Sequence, residues 1–434
     1  MHCKEQPRLQ VRNPERITVL RMYVEKLVCS RCGSEYDIRE SPVMCSKNDL
    51  GRLDVVYDYD RLMESLSRDG VSRRKMGGVW RYWELLPVDK KFAASLMEGG
   101  TPLVKATRLA SHLGFKAVYV KDDTRNPTAS FKDRAMAVGV AKAVETGRRD
   151  VVIASSGNAA SSLAAYSASL GLRCHAFVPE DVSTGKASQL LLYGAKVLRV
   201  RQSVEGRDPT VDLMLQAVFK LGWYPCPSFG PFNPYQVEGP KTIAYEVLEQ
   251  LGWVVPDAVL VPTGSGCLAA GVWKGLRDMM QLGWIDSYPK LIPVQPAGNQ
   301  PLARAIKKGM SYSEIEPEKN PRSIASGLLD PYPWDGDAAI EGVRATKGFA
   351  ETVEEDEIRE SVRLLARLEG IFAEPSGAVG VLAAKKLLDQ GVLDPSDTVV
   401  LLSTGSGLKE PEKVVSGETI PTISPDLDSL LKFL

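Results

Sequence analysis

Histidine is scarce in this chain: His2, His112 and His175 are the only three in 434 residues. A histidine triad or a histidine-built metal centre therefore has little material, and His175, inside the strand-like CHAFVP, reads as packed rather than catalytic. Long apolar runs are missing as well. Nothing approaches the roughly 20 residues of a membrane span, and the charged start MHCKEQPRLQVR has no signal-peptide core. Net charge is absent, with 54 Lys plus Arg against 54 Asp plus Glu, which argues against nucleic acid or an anionic membrane as partner. Seven cysteines, scattered except for one CxxC, point to a reducing cytoplasm rather than a disulfide framework. Neither GxxxxGK[ST] nor GxGxxG with a following ribose-binding acid occurs, which counts against a nucleotide hydrolase and a dinucleotide enzyme.

What remains is ordinary globular composition, 44% apolar and 25% charged, long enough for two or three domains. Strand-like runs recur at AVYVK (117–121), DVVIAS (150–155), RCHAFVP (173–179), AKVLRV (195–200), DAVLVPTG (257–264), LIPVQP (291–296) and DTVVLLSTG (397–405). Amphipathic, helix-length segments separate most of them. Continuous Val/Ile/Leu strands alternating with helices imply an α/β protein, with mostly parallel sheets covered on both faces and two sheet subdomains around a cleft. Ahead of these lies a knuckle, Cys29-x-x-Cys32-Gly33, with Cys45 as a third sulfur and Asn48 where a zinc ribbon would place its fourth. Two readings stand: a degenerate, metal-free ribbon, which we favour, or a site completed by Asp49 or Cys3. The expected organisation is a ribbon-like extension (1–55), a helical apron (56–97), a large subdomain (98–145 and 225–415), a small mobile subdomain (146–224) and a tail (416–434).

The stretch around which the chain is organised is NPTASFKDR, 126–134. It lies between the run AVYVK and the helical RAMAVGVAKAVE, so Lys132 sits where strand gives way to helix, with Ser130 as a capping residue. An amine there can attack a carbonyl to form a Schiff base. Three loops follow strands at their C-terminal ends, where open α/β sheets bind ligands. SSGNAAS (155–161) brings Asn158 and close backbone approach, and TGSGCLAAG (263–271) offers a nest of N–H groups from Gly264 to Cys267. LLSTGSGLK (401–409) brings Thr404. Singly, each loop is more often structural than catalytic. Together, a Schiff-base lysine, an asparagine, an anion cradle and a hydroxyl are the parts needed to hold pyridoxal phosphate.

With these motifs the chain resembles the threonine synthases of the β-family, fold type II, of pyridoxal-phosphate enzymes. The resemblance runs from the CxxCG knuckle through EGGTPL, NPTASFKDR, SSGNAAS, NPYQVEGPKT, the Gly-rich loop, GIFAEPSGA and TGSGLK to the closing PDLDSLLKFL. It implies that Lys132 carries the cofactor and that Asn158 contacts its ring hydroxyl. It implies further that Gly264, Ser265, Gly266, Cys267 and Leu268 hold its phosphate, and that Thr404 meets its ring nitrogen. Ser155, Ser156, Gly157, Ala159 and Gln236 fall where such enzymes bind substrate. The chain departs from the family pattern at Ala159, where threonine is usual, and at Gln236, where a basic residue is usual. It departs again at Gly264-Ser265-Gly266-Cys267-Leu268, where GNxGN is common. The expectation is a cytoplasmic, homodimeric lyase that makes threonine from O-phospho-L-homoserine. The alternatives are a paralogue acting by β-elimination or β-replacement on serine, O-phosphoserine or threonine, and a non-catalytic binding or regulatory protein.

Overall fold

The computed structural model describes residues 23–182, 184–201, 208–415 and 420–432. Thirteen strands make three sheets among the described residues. Strands β1 (Val24–Cys29), β2 (Glu35–Tyr36) and β3 (Leu53–Tyr57) form a small antiparallel sheet, order β2-β1-β3. There follow β4 (Leu103–Lys105), β5 (Ala117–Asp122), β6 (Asp150–Ala154), β7 (Arg173–Pro179), β8 (Lys196–Val200) and β9 (Tyr224–Pro225). The last four are β10 (Ala258–Pro262), β11 (Lys290–Pro296), β12 (Glu351–Val353) and β13 (Thr398–Ser403). The larger sheet runs β12-β11-β10-β13-β5-β4 and is parallel except for β4, which pairs antiparallel with β5. The smaller runs β8-β7-β6-β9, all parallel.

The seven apolar runs of the sequence are all strands; those inside the sheets are buried on both faces and so need no polar alternation, whereas β8, at an edge, is largely exposed. Strand β10 shows this residue by residue. Val259 and Val261 join a core with Leu268, Val272 and Leu276 of helix Cys267–Gln281. Ala258 and Leu260, pointing the other way, join a second core with Val381, Ala384 and Leu387 of helix Gly380–Asp389. Strands β4, β9 and β12, two or three residues each, are too short to carry a readable pattern.

The N-terminal segments are fastened to the body by buried polar contacts. The Tyr57 hydroxyl donates to Glu238 (2.6 Å), Lys274 to Asp54 (2.8 Å), and Arg81 and Tyr82 both to Glu249 (2.6 and 2.7 Å). Among the described residues no helix is long and apolar enough to cross a membrane.

Candidate active site

Lys132 is the first residue of helix Lys132–Glu145, reached from β5 through the loop 123–131. That loop is stapled to the end of β13: the Phe131 N–H donates to Thr404 O and the Ser406 N–H to Ala129 O, both at 2.9 Å. Ala129 takes a left-handed conformation, φ 62°, to allow it. The two residues after the lysine are wholly interior. Asp133 accepts from the Thr128 N–H and hydroxyl, both at 2.6 Å, and from the Ser162 hydroxyl at 2.5 Å. Arg134, 0% exposed, spans Asp123 (2.7 Å) and Glu246 (2.6 Å). Burial opposes the charge on Glu246, yet Arg134 and Lys121 hold that carboxyl well below the usual range. The KDR of the motif is thus one lysine at the helix start followed by two anchors that fix where its helix begins.

The Lys132 amine donates to Ser228 Oγ at 2.8 Å and lies 3.4 Å from Cys267 Sγ. Cys267 opens helix Cys267–Gln281, whose first-turn N–H groups have no carbonyls within the helix to bind. Gly266 caps that helix with φ +94°, and a Cβ there would stand 3.0 Å from the Asp335 backbone. At Gly264 a Cβ would meet Asp330 Oδ2 at 2.8 Å and Leu328 Cα at 3.1 Å, so side-chain-free backbone is required. Burial raises the Asp330 carboxyl above the ordinary range, against the pull of Lys132.

Across from the lysine, Asn158 opens helix Asn158–Ser169 at the end of β6. Its amide donates to Glu374 (2.9 Å), and its carbonyl oxygen accepts from Lys409 (2.7 Å). Thr404 is buried beside Gly405, and a Cβ on Gly405 would press on the Glu374 carboxylate. Burial raises the Glu374 carboxyl, with Asn158 and Lys409 opposing. Lys132, the cradle 264–268, Asn158 and Thr404 therefore converge on the C-terminal ends of β5, β10, β6 and β13. Ser155, Ser156 and Gly157 form the turn before Asn158, where the Gly157 N–H donates to Ser155 Oγ (3.2 Å). Ala159 is buried in that helix.

Gln236 is placed differently from the rest. It is 1% exposed, its Oε1 accepts from the Ser228 N–H (2.9 Å), and its Nε2 rests on Met136 Sδ (3.0 Å). Both ends of its amide are used inside the protein, so it acts on the site through Ser228. Five site residues escaped the sequence reading. Glu374, Ser376 and Lys409 lie in stretches already singled out, GIFAEPSGA and TGSGLK, but only the fold shows that they face Asn158 and Gly327. Ser228, at φ 66°, and Asp330 sit in loops without any local signal.

A family model described as pyridoxal-phosphate dependent enzyme matches residues 94–405. Solved structures share the fold: the pyridoxal 5'-phosphate-dependent aspartate racemase (TM-score 0.61, 23% identity, 72% of this chain and 92% of that one) is one. The processed threonine deaminase isoform 2 of Solanum lycopersicum (TM-score 0.60, 21% identity, 76% and 81%) is another. The chain is therefore a pyridoxal-phosphate-dependent enzyme of fold type II. Its curated relatives narrow the class. The threonine synthase of Methanocaldococcus jannaschii is 40% identical over 94% of this chain and 98% of its own length. That of Methanosarcina acetivorans is also 40% identical, over 92% and 95%. The chain belongs to the threonine synthase family and is a pyridoxal-phosphate-dependent lyase.

The residues present fit that cofactor. Its aldehyde needs an amine, its phosphate an N–H cradle without intruding side chains, and its ring polar partners on both edges; Lys132, 264–268, Asn158 and Thr404 meet these needs.

Proposed function

We propose that this lyase takes O-phospho-L-homoserine, releases phosphate from Cγ and adds water at Cβ, giving L-threonine. The observation that carries the reading is the Lys132 amine at the mouth of the cradle, between Ser228 Oγ (2.8 Å) and Cys267 Sγ (3.4 Å). Pyridoxal phosphate, when bound, supplies the electron sink for the carbanions such a reaction needs. Lys132 would hold the cofactor, and its amine is the group placed to move protons at the substrate's Cα and Cβ as a general base and acid. Ser228 orients that amine, and Gln236 orients Ser228. The turn Ser155-Ser156-Gly157, at a helix N-terminus, suits the substrate carboxylate. Thr404 would offer the cofactor ring a neutral hydroxyl rather than a carboxylate. The Gly264–Leu268 backbone would hold the cofactor phosphate.

A second reading rests on Ala159 and on Gln236, which turns inward and supplies no cation for a leaving phosphate. In it the same machinery performs β-elimination or β-replacement on serine, O-phosphoserine or threonine. The experiment is to give the cofactor-loaded protein O-phospho-L-homoserine and to quantify phosphate and threonine together. Equal amounts establish the first reading. No turnover, in protein that keeps its cofactor absorption band, moves the assignment to the second. The scattered cysteines support a cytoplasmic enzyme, the zero formal charge one that works without nucleic acid or an anionic membrane, and the family resemblance a homodimer.

A further inference from the structure

The N-terminal knuckle is outside the active site, and its side chains converge. The ligand atoms of Cys29, Cys32, Cys45 and Asp49 all lie within 4.8 Å of one another. Cys32 Sγ and Cys45 Sγ are 3.7 Å apart, and Cys29 Sγ is 3.5 and 3.6 Å from the two oxygens of Asp49. Zinc bonds of about 2.3 Å to sulfur and about 2.1 Å to oxygen set tetrahedron edges of about 3.8 Å between sulfurs and about 3.6 Å between sulfur and oxygen. The observed separations are close to those edges. A disulfide needs sulfurs at about 2.05 Å, which Cys32 and Cys45 do not approach.

We infer that Cys29, Cys32, Cys45 and Asp49 bind one structural zinc ion. This departs from the metal-free ribbon favoured by the sequence, and the backbone supplies the reason. Asn48, at the position of the missing cysteine, adopts a left-handed conformation (φ 52°), and its N–H closes a turn on Cys45 O (3.1 Å). The chain is thereby rotated so that the next residue, Asp49, takes the fourth corner. Cys3, the other candidate, lies outside the described residues. Around the four ligands stands the supporting shell a metal site needs. The Gly51 N–H donates to Asp49 Oδ1 (2.8 Å), the Tyr36 hydroxyl to Cys45 Sγ (3.2 Å), and Arg31 Nη1 to Asp49 O (2.6 Å). A Cβ on Gly51 would collide with Cys29 Sγ, so only glycine allows the approach. Three thiolates and one carboxylate select zinc over magnesium or calcium.

The test is metal analysis of the full-length protein, purified with zinc in the medium and dialysed without chelator. About one zinc per chain is expected, since structural sites of this kind bind tightly. Replacing the metal by cobalt should give sulfur-to-cobalt charge-transfer bands and the intense visible bands of a tetrahedral ion. Asp49→Asn keeps the shape and the Gly51 contact but removes the anionic ligand. It should fold, weaken metal retention by about tenfold or more, and shift the cobalt bands. Because cysteine variants can fail to fold, the cobalt spectrum of the unaltered protein carries the decision. Folded protein that takes up neither zinc nor cobalt overturns the inference. So does a Cys32–Cys45 disulfide found by mass spectrometry, or iron in place of zinc.

Discussion

Restoring the basic residue that the family usually carries at position 236 is expected to damage this protein rather than improve it. In Gln236→Arg the new guanidinium enters a space where Gln236 is 1% exposed, and where a Cβ on Gly139 would already stand 2.7 Å from Gln236 Cγ. The Gln236 amide is engaged by the Ser228 N–H and Met136 Sδ, neither able to neutralise a cation. An uncompensated buried charge costs about 3–5 kcal/mol. The Ser228 N–H, left without its acceptor, costs about 1–3 kcal/mol, although the two overlap and do not simply add. Urea unfolding followed by far-UV circular dichroism should therefore show a loss of about 3–5 kcal/mol. The near-isosteric Gln236→Met, which removes only the polar pair, should lose about 1–3 kcal/mol and lower kcat through Ser228, with little change in KM. The outcome that refutes the reasoning is a Gln236→Arg variant of unchanged stability whose KM for O-phospho-L-homoserine falls. Position 236 would then reach the substrate phosphate directly.

Gly264→Ala forces a Cβ to 2.8 Å from Asp330 Oδ2 and 3.1 Å from Leu328 Cα. Overpacking of about 1–3 kcal/mol corresponds to roughly 5- to 150-fold weaker binding, and titrating the apoprotein with pyridoxal phosphate should show it; unchanged affinity would place the phosphate elsewhere. Asp335, which accepts the Gly230 N–H, is raised by burial from 3.8 to about 7, with Arg52 opposing. Because the folded value exceeds the unfolded one, the native state holds the extra proton between about pH 4 and 7. Its contribution to stability falls across that window and is level above it. Asp335→Asn removes the titration, so relative to wild type it should gain up to about 4 kcal/mol from about pH 4 to pH 7. A difference that stays flat with pH would mean that Asp335 ionises normally.

What the sequence determined by itself is the architecture and the places where a lysine and a Gly-rich loop stand at strand-to-helix turns. Both are written in local terms. Parallel strands such as β10 and β13 are continuous apolar runs because they are buried on both faces. Lys132 and Gly264 to Cys267 announce themselves because a strand-to-helix turn and a side-chain-free cradle demand particular residues at fixed neighbouring positions. Tertiary structure decided everything that depends on which distant residues meet. Arg134 could be known as a buried anchor only once Asp123 and Glu246 were brought around it. Gln236 reads on its own as a ligand-facing residue lacking its usual charge; the fold turns it inward to hold Ser228, which in turn holds Lys132. Asp49 became the fourth corner of the knuckle only through the left-handed turn at Asn48. Side-chain direction follows from backbone torsions and from packing across the chain, and neither is encoded in the spacing of residues along it.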